Sequence, residues 1–87
     1  MENEQTRPKP AAEIRYGNVR AAIWRNEAKS NGGTYFTVSI ERIYRDDEGV
    51  FRSSHSFGRD DLLVLAKVAD KAHSEVCALQ REAYDQE

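Results

Sequence analysis

Apolar and polar residues alternate along the first two thirds of this chain, and then the spacing lengthens. In residues 14–25 (IRYGNVRAAIWR), Val19, Ala21 and Ile23 fall on one side, while Arg20, Ala22 and Trp24 fall on the other. In residues 34–45, Phe36, Val38 and Ile40 alternate with Thr37, Ser39 and Glu41. A period of two, filled with aromatic and β-branched residues, predicts half-buried strands. The second run stops at Asp46-Asp47-Glu48-Gly49, where polar residues and a glycine able to take positive φ predict a tight turn. Residues 50–57 then read as the returning strand of a hairpin. Gly17 beside Tyr16 marks a bulge or sharp bend that can divide the first run in two. Residues 26–33 (NEAKSNGG) make a long, turn-rich connection, which predicts a protruding arm.

Beyond Phe57 the period becomes helical. Leu62, Leu65, Ala69, Ala72, Val76, Leu79 and Ala83 recur at intervals of three and four. Gly58 with Asp61 has capping-box spacing, and Phe57 with Leu62 has the spacing of a hydrophobic staple. Asp60 and Asp61 suit the positive end of a helix dipole. The pattern predicts a helix of roughly 25 residues, about 37 Å long. Typical strands span about 17–20 Å, so the far half of the stripe is expected to need a partner outside its own sheet. A second copy is the economical one, with Ala69, Ala72, Val76 and Leu79 as the expected dimer interface. The fold class is therefore α+β: an antiparallel sheet of three to four strands followed by one long C-terminal helix that mediates a dimer.

Residues 1–12 (MENEQTRPKPAA) carry charge and both prolines with almost nothing to bury, which predicts a disordered arm before a single domain at 13–84. Its Arg7 and Lys9 read as solvated rather than as ligands of a polyanion. No apolar run reaches the ~20 residues of a membrane span, and no secretory leader is expected. A single cysteine makes no internal disulfide, so the cytoplasm is the expected compartment. The net charge of −2 argues mildly against nucleic acid, but it averages two unlike halves. Residues 1–45 hold 8 Lys/Arg against 5 Glu, whereas residues 46–87 hold 5 basic residues against 10 acidic ones. The expected strands are the basic part.

Single-stranded nucleic acid is held by cations that follow phosphates and by rings that stack on bases. Arg20, Trp24, Arg25, Tyr35, Tyr44 and Arg45 offer both from adjacent expected strands. The plainer alternative is that Trp24 and Tyr44 are partly buried sheet residues and that the arginines solvate an edge. Tyr16-Gly17-Asn18-Val19-Arg20, the run from Ile40 to Gly49 (IERIYRDDEG) and Ser56-Phe57 before the helix resemble the positive cofactor four, or p15 transcriptional coactivator, family. The resemblance covers about residues 14–80, and the acidic turn is its sharpest piece. It implies a curved sheet with a C-terminal helix, dimerisation through that helix, and single-strand binding by strand surfaces and the first hairpin. By position it implies basic contacts at Arg20 and Arg25, an aromatic contact at Tyr44, and further contacts from Trp24 and Lys29. Asn18 stands where that family has a lysine, and Glu41 where it has an arginine.

The remaining chemistry is sparse. His73 and Cys77 share a helix face, but zinc needs four ligands and only His55 and carboxylates remain, so no metal is expected. The same pair lacks the orienting third group of a nucleophilic site. The Asp46–Gly49 segment lacks calcium-loop spacing. No enzymatic activity, cofactor or small-molecule substrate is expected. Two functions stand: a homodimeric protein that binds single-stranded DNA, with RNA as second candidate, as an accessory to transcription or replication; or a small interaction and dimerisation module without nucleic acid.

Overall fold

The computed structural model describes residues 9–30 and 32–86; the expected arm at 1–12 lies largely outside them. Four antiparallel strands form one open sheet in the order β1-β2-β3-β4. They are β1 (Ala12–Tyr16), β2 (Val19–Glu27), β3 (Thr34–Arg45) and β4 (Phe51–Ser54). A single turn of 3-10 helix at Arg59–Asp61 leads into α1 (Leu62–Gln86). The α+β architecture is the one the hydrophobic pattern predicts, in its four-stranded form.

Gly17 decides the strand count. It takes φ 58° and, with Asn18, forms a two-residue connection that pairs Tyr16 with Val19. Glycine at the first central position with positive φ suits the twist of a hairpin. The first apolar run is thus two paired strands rather than one bent strand. Asn18 ties this turn to the sheet, its carbonyl accepting from the Ile43 N–H at 2.7 Å.

The acidic turn is built around one carboxylate. Asp46 Oδ1 accepts from the N–H groups of Glu48 and Val50, both at 2.9 Å, and Oδ2 accepts from Arg52 Nε at 2.7 Å. Gly49, at φ 81°, closes the turn by donating to the Asp46 carbonyl. This fixes Arg45 opposite Phe51.

One face of the sheet is covered by α1, which packs on β1, β2 and β3. Val19, Ala21 and Ile23 of β2 and Val68 of α1 are 0% exposed, with Ala72 beside them. Burying each of the larger aliphatic side chains contributes about 1.5–3 kcal/mol. At the helix start, Asp61 Oδ2 accepts from the Gly58 N–H at 2.9 Å, satisfying one of the free donors there. Phe57 packs against the core, but Leu62 is half exposed, so the expected staple does not bury its second member.

Two details of the helix differ from the pattern. Val68, absent from the expected stripe, is at the centre of the core, whereas Leu62 and Ala69 are exposed. The far half of the stripe is also not bare within the protomer: Val76 and Leu79 pack against the core, Ala83 is buried, and Gln80 Nε2 donates to the Thr34 carbonyl at 2.7 Å. The reason is strand length. β3 has 12 residues, about 40 Å of sheet, which matches the helix.

Candidate nucleic-acid interface

The sheet face opposite α1 has no layer over it among the described residues. Strand alternation and register determine what it displays: Glu13 and Arg15 from β1; Arg20, Ala22, Trp24 and Asn26 from β2; Tyr35, Thr37, Ser39, Glu41, Ile43 and Arg45 from β3; Phe51 and Ser53 from β4. From Tyr35 to Arg45 this face spans eleven residues of β3, about 33 Å.

Four of the expected contact residues share this face: Arg20, Trp24, Tyr35 and Arg45. At one end Tyr35 is 48% exposed and lies opposite Asn26. Next comes Trp24, whose Nε1–H donates to Ser39 Oγ at 3.0 Å. That bond fixes the polar edge of the indole on the sheet. At the other end the Arg45 guanidinium lies over the Phe51 ring, 4.7 Å from its centre. Phe51 is 64% exposed. An open groove of about 530 Å³ is lined there by Arg15, Arg20, Ile43, Phe51, Arg52 and Ser53.

Between these ends sits an ion pair. Arg20 donates to Glu41, its direct partner across β2 and β3. The Arg20 hydrogen bond, with help from Ser53 and the nearby charges of Arg20 and His55, holds the Glu41 carboxyl below its usual range; partial burial opposes this.

The other expected residues lie elsewhere. Arg25 alternates onto the helix side, where it pairs with Glu27 at 3.3 Å and donates to Thr34 Oγ1 at 3.4 Å. Tyr44 is also on the helix side of β3, beneath the Arg42 guanidinium at 5.2 Å. The family resemblance implied both as contacts by position, but a period of two turns each of them away from the face that carries Arg20 and Trp24. Lys29 is exposed in the β2–β3 connection, where the Ala28 N–H donates to the Gly33 carbonyl at 2.7 Å. Conversely, Arg15 and Phe51 went unnoticed as members of the open face. Their signals were the two short turns, which set Arg15 opposite Arg20 and Phe51 opposite Arg45.

On the helix side an apolar groove of about 270 Å³ runs between β3 and α1, lined by Phe36, Val38, Ile40, Ala69, Ala72, His73 and Val76. Of the expected dimer contacts, Ala69, Ala72 and Val76 line this groove, Ala72 from a buried position, whereas Leu79 packs inward. His73 Nε2 and Cys77 Sγ are 3.7 Å apart on the helix. Among the described residues no group of three side chains could hold a metal ion, and no helix is long and apolar enough to cross a membrane.

No protein-family model, curated protein or solved structure matches this chain significantly. Function is therefore read from the chemistry of these surfaces.

Proposed function

We propose that the open sheet face binds single-stranded nucleic acid, DNA in the first instance, and that the protein serves as an accessory factor in transcription or replication. One observation carries the reading. The uncovered face gathers Arg15, Arg20, Trp24, Tyr35, Arg45 and Phe51 from all four strands, interleaving cations with rings. Unpaired bases stack on such rings with little regard to sequence, while arginines fork onto phosphates. A duplex hides its base faces and offers mainly phosphates, so single strands are preferred.

Trp24 is the only tryptophan, and it stands on the proposed surface. A labelled or unlabelled ~20-mer single strand should quench its fluorescence, more strongly than a duplex of the same length, and the affinity should fall as salt rises. Equal affinity for duplex and single strand would remove the stacking mechanism.

The same reading includes a homodimer, supported by the apolar groove on the helix side. Val38 is 40% exposed there beside small alanines of α1 that permit close approach of a second helix. Sedimentation at tens of micromolar should find a dimer; a folded monomer refutes this part and leaves the binding face untouched.

A further inference from the structure

We infer that Glu41 is an affinity-setting residue of the open face: an internal counter-anion that keeps Arg20 from acting as a phosphate contact. The inference rests on the single-strand reading above.

Arg20 lies near the middle of the sheet, with Arg15 opposite it on β1 and Glu41 opposite it on β3. An arginine there is well sited to meet a strand crossing the face. Its guanidinium is nevertheless already bonded to a carboxylate. The two side chains are 38% and 24% exposed, so this is a partly shielded pair on a rigid sheet rather than a freely solvated one. Ser53 on β4 also favours the charged form of the Glu41 carboxyl. Arg15 differs: its Nε donates to the Gly17 carbonyl at 2.9 Å, and among the described residues no carboxylate pairs with it.

A phosphate reaching Arg20 must displace an anion that is held at zero distance cost by the fold. The Arg20 charge is already cancelled by Glu41, so it neutralises no phosphate and releases little of the counterion condensed on the strand. Affinity on this face then depends on Trp24, Tyr35 and Phe51 and on Arg15 and Arg45, which pair with no carboxylate among the described residues. Removing the Glu41 charge frees one cation in the centre of the track.

Each new phosphate contact on a single strand steepens the plot of log affinity against log salt by about 0.7, which is on the order of fivefold in affinity at 0.1 M salt. The test is a double-mutant cycle, titrating a labelled oligothymidylate at several salt concentrations. Glu41→Gln and Glu41→Thr, the second a good strand former, should each bind about fivefold tighter than the parent with the steeper slope. Arg20→Gln supplies the fourth corner of the cycle, and adding it to Glu41→Gln should abolish the gain. If the folded Glu41 variants bind no tighter than a parent that does bind, the inference fails and the single-strand reading survives. If the gain persists without Arg20, the inference also fails, because the charge then acts at long range. If neither parent nor variants bind, both fall together.

Discussion

Replacing Trp24 by Ala isolates the stacking part of the proposed mechanism. The indole stands on the open face, opposite Thr37 and four residues along β2 from Arg20, or about 13 Å. Loss of one base platform costs about 1–3 kcal/mol, which is about 5-fold to 150-fold in affinity. The ring carries no charge, so the salt dependence should stay as it is in the parent. The structural cost is small by comparison. The bond to Ser39 is exposed, and water replaces it for Ser39, whereas the core residues Val19, Ala21 and Ile23 point the other way. Fluorescence anisotropy of a labelled ~20-mer between 50 and 200 mM salt reads both affinity and slope, and circular dichroism establishes that the variant is folded. A folded Trp24→Ala protein that binds within twofold of the parent would refute stacking at this position. A slope lowered by a full unit would show that the surface works through charge instead.

Arg25→Ala and Tyr44→Ala should leave single-strand affinity within about twofold, because both side chains lie on the helix side; the same anisotropy assay checks them. Gly17→Ala should lower stability by about 1–2 kcal/mol, read as a lower thermal midpoint. The added Cβ meets nothing within 4 Å, so the cost is that of positive φ alone. Acid should weaken the fold through Glu41 and Asp46. Arg20 lowers the first carboxyl, and Arg52 with the turn N–H groups lowers the second, from ordinary values of 4.5 and 3.8. Groups depressed in the folded state stabilise it fully above their unfolded values, and that contribution disappears as pH falls through the folded ones. Denaturant midpoints should therefore drop below about pH 4, and an Asp46→Asn protein should show a shallower drop.

How far the sequence could be read depended on whether local pattern or chain geometry decided each feature. Alternation in β2 named Val19, Ala21 and Ile23 as one face, and the structure buries all three. The Asp46–Gly49 turn was legible because a glycine able to take positive φ is a local requirement, and Gly49 takes it; the acceptor role of Asp46 became visible only in the structure. The helix was legible as an element but not in its rotation. A spacing of three and four can be threaded through Leu62 and Ala69 or through Val68, and only the angle at which α1 crosses the sheet chooses Val68. The helix's cover was misjudged because a typical strand length stood in for β3, which is about twice as long. On the open face, Arg20 with Trp24 followed from parity. Arg15 and Phe51 needed the register of two turns, and the Arg20–Glu41 pair needed the register of β2 on β3, which no single strand contains.

The charge of the whole chain is a poor guide to what its open face can hold. Fifteen acidic residues outnumber thirteen basic ones, yet among the described residues the strand positions of that face carry only two, Glu13 and Glu41. Most of the others are spent on folding or lie away from the face. Asp46 organises the β3–β4 turn, Asp61 caps the approach to α1, and Glu27 balances Arg25 on the helix side. Asp70, Glu75, Glu82 and Asp85 lie along α1. The sheet itself separates the two sets, because alternation sends neighbours in sequence to opposite sides. Its arginines thus act close to the strand they would meet, while the helix acids belong to the layer behind the sheet. Of the two acids that remain in front, Glu41 alone is bonded to one of those arginines, which is why its removal is the change expected to tighten binding.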